Sequence, residues 1–523
     1  MVMTKALKAL TPFILILAIG IFFRIYNINF GLPQSFYADE PEIAEPAIKF
    51  TYEIKNITKN NDYYKLIPES FVYGTFPIYF YTVLVMIFSK VLGILNIGFE
   101  KMDLYVLMRA INTVISALLV PLSAFLYYKV FKDKFGAIAT ALITATGWKF
   151  IVMAHYVNVD TILTTLLLVS FITLYVYSKK KGTTFFTIFT GILFGLAVGT
   201  KITALLSFPL FIFIFLTKKD IKGMVAFILI VFLVFSISNP FSIIFVRRFA
   251  FKIISLSTKE NGIVFDSINT NPLKYIWALF YILTPPIFLL SLYGKLRALR
   301  IFVKERSFHI FLIGNVLIYL IFYTLSHRLV DRWLMPILPV VIMYSAYGLT
   351  LLKSKLNKMN FVIILHLVLL IYVCFPILLL FQFQRQTPKS ASYLWTRDNL
   401  IPISSKLVIT EEGLDPLYKL SNAKVMKSEV YASKGAQYVY PLNPELFNYV
   451  ILSSKPMENF KRKEIIEKFP EYSKRWSAFE KTVENTRKFK LIKSFELPRP
   501  NLIQLSNVYI YENLKLSPTK GNL

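Results

Sequence analysis

FGLPQSFYADEPEIAEP, residues 30 to 46, follows the first long apolar run of the chain and packs Asp39, Glu40, Glu42 and Glu45 into seven residues. Such an acidic knot stands out in a protein of 523 residues with a formal net charge of +29. Pro41 can open a short helix with Asp39 and Glu40 at its mouth, and Glu42 and Glu45 would then share a helix face. Two readings stand. The stretch is either a solvated acidic loop capping a juxtamembrane helix, or a catalytic carboxylate held at the lipid–water boundary.

The surroundings are those of a membrane protein. Hydrophobic residues make up 55% of the chain, charged residues 17%, and mean hydropathy is +0.56. Apolar runs near twenty residues recur between short basic loops, which marks a polytopic α-helical membrane protein. Candidate spans are 9–28, 104–128, 136–154, 161–178, 184–199, 202–217, 222–240, 273–293, 308–326, 332–351 and 361–381, about eleven transmembrane helices. The first run resembles a signal peptide but lacks a small-residue cleavage site, so it reads as a retained span with Arg24 and Tyr26 as interfacial anchors. The lone Cys374 lies in an apolar run and excludes a disulfide framework. The basic excess sits between spans without a nucleic-acid-binding pattern, so no nucleic acid is expected as a partner.

Charge parity sets the orientation. Lys5/Lys8, the loop 129–134, Lys179–Lys181, Lys218/Lys219/Lys222, the cluster from Lys295 to Arg306 and Lys353/Lys355/Lys358 together carry a formal +16. With eleven spans all of them face the cytoplasm, as does the N-terminus. The segment 29–103 has six lysines against nine acids, a net −3, which puts Asp39 and Glu40 on the outer side of the plasma membrane. The run 76–95 would be a twelfth span and breaks this parity. It therefore reads as an interfacial or re-entrant helix in the first outer loop. Residues 1–383 form the membrane module. From residue 384 the composition changes, and 406–410, 449–454, 491–497 and 507–513 read as short strands with helical stretches at 456–469 and 471–488. This C-terminal part, 384–523, is expected to be a soluble extracytoplasmic α/β domain with its own core. Asn56-Ile57-Thr58 fits a glycosylation sequon on the outer side.

Ionisable groups at the ends of apolar spans are costly and point to function. His155 and Asp160 lie on one outer connection, where Asp160 could equally cap the following helix. Lys201, between two spans, could simply snorkel. His327, Arg328, Asp331 and Arg332 enter a span from the outside, and either local Arg–Asp pairing or a phosphate site accounts for them. Arg109 sits at the outer end of its span as an anchor. The gathering of acids and bases on one face suits transfer of a sugar from a lipid phosphate. The acceptor hydroxyl needs a carboxylate base, and the departing phosphate needs cations more than a strong acid.

Several stretches, in order, resemble the GT-C superfamily of lipid-phosphate-sugar-dependent glycosyltransferases, in particular protein O-mannosyltransferases and lipid A aminoarabinose transferases. They are Arg24 to Pro33 leading to Asp39-Glu40, the Pro77 segment before Arg109, Asp160 after WKFIVMAHYVNV, the glycine-rich run ending at Lys201, and RWLMPILP from Arg332 to Pro339. The resemblance spans roughly 9 to 380 and implies a polyprenyl-phosphate sugar as donor and a protein, lipid or glycan acceptor. It implies that Asp39 activates the acceptor with Glu40 beside it, and that Asp160 assists, in some relatives through a divalent metal shared by Asp39 and Asp160. It further implies that Lys201 and Arg332 contact the donor phosphate; Arg328 and His327, in the same outer cluster, are candidates for that phosphate site, and Arg109 and His155 are candidates for its support. Thr75-Phe76 before Pro77 depart from the lipid A pattern, and the sugar-binding repeats of eukaryotic mannosyltransferases are missing. A secondary transporter or lipid flippase could line a pathway with the same charges, but no inverted repeat is visible.

Overall fold

In the computed structural model the described residues are 2–32, 37, 39–60, 63–68, 73–94, 101–179, 184–257, 263–264, 269, 271–326, 328–400, 407–409, 425–427, 431–432, 443–468 and 470–516. The N-terminal part is a helical bundle: α1 (Val2–Ile25), α2 (Asp39–Asn60), α3 (Phe76–Ile94), α4 (Lys101–Phe131), α5 (Lys134–Thr146), α6 (Trp148–Ala154), α7 (Val159–Lys179), α8 (Thr184–Thr200), α9 (Phe208–Thr217) and α10 (Ile221–Ser238). After α11 (Pro240–Ile244) and α12 (Val246–Ser257) come α13 (Lys274–Leu283), α14 (Pro285–Ile301), α15 (Arg306–Leu325), α16 (Leu338–Lys355) and α17 (Lys358–Phe383).

Among the described residues, six helices are long and apolar enough to cross a membrane, two bent pairs pass the same test together, and four shorter apolar helices accompany them. These segments coincide with the eleven expected spans plus α3. The many buried side chains of α7 and α16 place those two helices in the bundle centre, while α10 and α17 leave most of their apolar surface outside it. An outward apolar surface of that extent belongs against lipid tails.

Two expected spans are not single rods. Residues 136–154 are α5 and α6, bent by 48° at Gly147, and the run 273–293 turns by 110° between α13 and α14. The second bend is at Thr284, whose backbone lies at φ 66° and ψ 152° before Pro285 and Pro286. A residue preceding proline is driven out of helical geometry, so Thr-Pro-Pro ends one helix and opens the next.

Arg24, expected as an interfacial anchor, is fully buried. Its guanidinium donates to the carbonyls of Thr144 (2.9 Å), Ala145 (2.7 Å) and Gly20 (2.9 Å) and to the Ser116 hydroxyl (3.0 Å). Thr144 and Ala145 close α5, where the break at Gly147 leaves carbonyls without intrahelical partners. A cation at a helix C-terminus also meets the negative end of the macrodipole. Arg24 thus stitches the broken helix to the bundle.

The helices α2 and α3 pack on α4 through a separate core of Ile43, Ala47, Ile78, Tyr81, Val85 and Met108. A buried ion pair ties this layer to the bundle. Arg109 Nε and Nη2 donate to the two Glu40 oxygens at 2.7 and 2.6 Å, and both side chains are fully buried. Glu40 also accepts from the Val157 amide (3.0 Å), and Arg109 Nη1 donates to the carbonyls of Ile28 (2.9 Å) and Phe30 (2.8 Å). One fork therefore holds the end of α1, the start of α2 and the loop before α7.

The C-terminal part builds a five-stranded sheet of β2 (Leu407–Ile409), β3 (Val425–Lys427), β5 (Tyr449–Ser453), β6 (Phe489–Phe495) and β7 (Val508–Asn513), in the order β3-β2-β5-β7-β6. A second, two-stranded sheet pairs β1 (Ile263–Val264) with β4 (Tyr431–Ala432). The strand β5 is buried on both faces: Val450 and Leu452 enter one core with Trp476 and Phe479, Tyr449 and Ile451 another with Val508 and Ile510. The two-residue alternation of a strand requires that split. The sequon at Asn56 falls within α2, and its side chains lie outside the described residues.

Breaking a buried ion pair from one side strands a charge and costs about 3–5 kcal/mol, whereas removing both charges costs less. Glu40→Gln is therefore expected to lower the thermal unfolding midpoint of the detergent-solubilised protein sharply. Glu40→Gln combined with Arg109→Met should recover part of the loss, and an unchanged midpoint in the single variant would contradict the clamp.

Candidate active site

Asp160 sits in the first turn of α7. The cap there belongs to Asn158, whose side-chain oxygen accepts from the Thr161 amide (2.9 Å) and hydroxyl (3.1 Å). Relieved of capping, the Asp160 carboxylate receives Lys201 Nζ at 2.7 Å and Arg332 Nε at 3.5 Å. Lys201 stands where α8 ends, in extended backbone at φ −157° and ψ 124°, which turns its ammonium back toward α7. It pairs with Asp160 and is mostly buried, so it does not snorkel.

Arg332 occupies the second position of a 3-10 turn, Asp331–Ile337, that leads into α16. Its Nη2 pairs with Asp39 Oδ2. One guanidinium therefore bridges the first residue of α2 and the first turn of α7, which lie 121 residues apart in sequence. Both Asp39 and Arg332 keep about a quarter of their side-chain surface exposed, while Asp160 is 2% exposed. Asp39, Asp160, Lys201 and Arg332 thus converge. Asp331 does not join the neighbouring arginines: its carboxylate pairs with Lys149 at 2.6 Å.

Aromatic rings wall this cluster. The Arg332 guanidinium lies 5.1 Å over Tyr37, which stacks on Tyr156 at 4.8 Å. Lys201 lies between Tyr73 and Trp333, 6.0 and 5.9 Å from their centroids, and Arg328 covers Trp333 at 5.7 Å. Rings of this kind favour cations while excluding water. Tyr73 is delivered by a close approach: the Gly74 amide donates to Thr200 O (3.1 Å), and a Cβ at Gly74 would collide with the Gly199 carbonyl. Thr75 then anchors its hydroxyl on Ser238 O (3.0 Å). Burial pushes the Tyr73 phenol well above its ordinary range, and the Asp39 carboxylate adds to the rise. Tyr37 is raised in the same way, burial again leading, so both stay protonated.

Other expected residues lie apart from the cluster. Glu40 and Arg109 form the clamp one residue from Asp39. His155 is fully buried, bonded to the carbonyls of Ile151 and Tyr26 at 2.8 Å each and stacked on Phe383 at 3.9 Å. Burial lowers its imidazole to about 4. His327 lies outside the described residues. Tyr37, Tyr73, Trp333 and Lys149 were not singled out from sequence. Tyr37 and Trp333 border Asp39 and Arg332, which is a usable signal, whereas Tyr73 arrives by tertiary contact alone.

The donor set does not suit a divalent cation. Asp39 and Asp160 are each already matched to a cation of the protein, and among the described residues no three His, Cys, Asp or Glu side chains gather. Divalent sites draw several carboxylate or imidazole ligands onto one ion. An anion that competes for the two cations suits the cluster better.

Residues 16–256, just under half of the chain, match the family model of dolichyl-phosphate-mannose-protein mannosyltransferases. No curated protein sequence matches the chain. Crystal structures of ArnT from Cupriavidus metallidurans, in the apo state and bound to undecaprenyl phosphate, are similar with a TM-score of 0.51 at 12% and 13% identity. Each match covers 97% of this chain and 98% of the other. The apo oligosaccharyltransferase of Archaeoglobus fulgidus is similar with a TM-score of 0.52 at 13% identity, over 86% of this chain and 70% of that one. The expected fold is borne out: the chain shares the membrane fold of these solved structures, and its residues 16–256 are similar to the mannosyltransferase family model.

Proposed function

We propose that the chain transfers a sugar from a polyprenyl-phosphate carrier to an acceptor hydroxyl on the extracytoplasmic face, with Asp39 as the base. The observation that carries this reading is the single guanidinium of Arg332 bridging Asp39 and Asp160 beside Lys201. The orientation rests on the basic loops, whose positive charge holds them in the cytoplasm opposite the acidic first loop. The family match favours mannose as the sugar and a protein as the acceptor. That a protein of the same fold, ArnT, was solved bound to undecaprenyl phosphate supports a lipid phosphate as a ligand here.

The chemistry balances. The acceptor oxygen attacks the anomeric carbon as the bond from that carbon to the phosphate oxygen breaks. The proton goes to Asp39, and the electron pair leaves on the carrier phosphate. Asp39 loses one negative charge while the phosphate, a diester becoming a monoester, gains one. Arg332, reaching toward both places, follows the charge from the base to the leaving group, and Lys201 and Arg328 add cations on the phosphate side. Without donor, Asp39 is paired with Arg332. A bound phosphate competes for that guanidinium and releases the carboxylate. Asp160 holds Lys201 and Arg332 in register, and the walls of Tyr37, Tyr73 and Trp333 keep water from the sugar.

Asp39→Asn is expected to abolish sugar transfer in reconstituted membranes while leaving undecaprenyl phosphate bound at least as tightly as in the parent protein. Full transfer by this variant would remove Asp39 as the base. Lys201→Ala and Arg332→Ala should each weaken undecaprenyl phosphate binding by roughly tenfold, the order of one charge-assisted contact. Unchanged affinity in both would take the phosphate away from this cluster.

A further inference from the structure

The C-terminal sheet sends one loop back into the membrane module. It connects β6 to β7, residues 496–507, and is braced at its neck. The Leu497 amide donates to Asn507 Oδ1 (3.1 Å), the Asn507 amide to Ser454 Oγ (3.0 Å), and the Ser454 amide to Asn507 O (2.9 Å). At the tip, Asn501 Nδ2 donates to Leu505 O (2.6 Å). A loop tied at both ends behaves as a preformed tongue.

The tongue is inserted. Leu502 and Ile503, 1% and 8% exposed, belong to the main apolar core of the helical bundle, with Leu505 packed against it. Gln382, near the end of α17, donates to the carbonyls of Pro500 (2.6 Å) and Pro498 (3.3 Å). Apolar insertion would suffice to tether a domain, yet the next residue does something a tether does not require. Gln504 adopts φ 61°, a left-handed backbone that glutamine takes only at a cost. Its Nε2 donates to Asp331 Oδ2 at 3.0 Å, the same oxygen that receives Lys149 Nζ.

Asp331 is the residue before Arg332 and the first of the 3-10 turn that carries it. That turn has no side-chain N-cap of its own, because Val330 precedes it. Short 3-10 segments hold their shape poorly without outside support. Hydrogen bonds at the start of the turn run from the Val330 amide to the Tyr275 hydroxyl (3.1 Å) and from Gln504 and Lys149 to Asp331. From this geometry we infer that the β6–β7 tongue is part of the donor site, with Gln504 a positioning residue that holds Arg332 in place through Asp331. The C-terminal part then contributes to binding of the lipid phosphate through the turn that carries Arg332. The inference rests on the reading of Arg332 as a phosphate ligand.

The test is undecaprenyl phosphate binding to the full-length, detergent-solubilised protein, for the parent, Gln504→Ala, Arg332→Ala and the double variant. Gln504 is exposed, so its truncation leaves the fold intact. Gln504→Ala is expected to weaken binding about fivefold, in keeping with one solvent-accessible charge-assisted hydrogen bond. In the Arg332→Ala background it should add nothing, since a residue that acts through another is silent once that other is gone. Gln504→Glu, which sets a carboxylate against Asp331, should weaken binding further than alanine. Parent-like affinity in Gln504→Ala, or effects of the two substitutions that multiply independently, would overturn the positioning role while leaving the phosphate site standing. If Arg332→Ala itself binds like the parent, the phosphate reading fails first and the tongue's role falls with it.

Discussion

The Glu40–Arg109 fork is the constraint on which the site depends. Asp39 opens α2, and the fork fixes where that helix sits. The fork does so by locking Glu40 to α4, to the Val157 amide before α7 and, through Arg109, to the carbonyls after α1. A fully buried pair of this kind is tolerated because every oxygen and most of the guanidinium donors are engaged. Asp39 and Asp160 are thereby set on two elements anchored to one point, close enough for a single arginine to reach both.

That arrangement divides the adjacent acids by environment. Glu40 lies where no water reaches and where both its oxygens are bonded, so it holds structure. Asp39, one residue earlier, keeps part of its surface open and pairs with a guanidinium that a phosphate can take over. The cluster of two carboxylates and two cations is balanced in the absence of ligand. In the proposed reaction an incoming lipid phosphate adds negative charge, and Arg332 exchanges partners in response.

Much of this was legible in the sequence, for a physical reason. Ionisable residues at the edges of apolar runs are few, so Asp39, Asp160, Lys201 and Arg332 stood out, and charge parity alone grouped them on one face. The long apolar helices were visible because membrane-length hydrophobic runs are hard to mistake. Partner choice was not visible. Arg24 occupies the position of an interfacial anchor, yet it serves backbone carbonyls of α5, which carry no side-chain signature. Asp331 beside two arginines reads as local pairing, but it turns to Lys149, 182 residues away. The 110° bend at Thr284 was announced by Thr-Pro-Pro, although hydropathy averaged across it. The insertion of Leu502 and Ile503 had no precursor in pattern, since two apolar residues in a loop look like any others.

The central claim is that Arg332 passes from Asp39 to a lipid phosphate. A structure of the full-length protein with undecaprenyl phosphate, determined by cryo-electron microscopy in lipid nanodiscs, tests it most directly. The account predicts phosphate oxygens within hydrogen-bond reach of Lys201 Nζ and the Arg332 guanidinium, with the Arg332–Asp39 pair opened and Asp39 facing the vacated space. A phosphate bound elsewhere, with Arg332 still paired to Asp39, would contradict it.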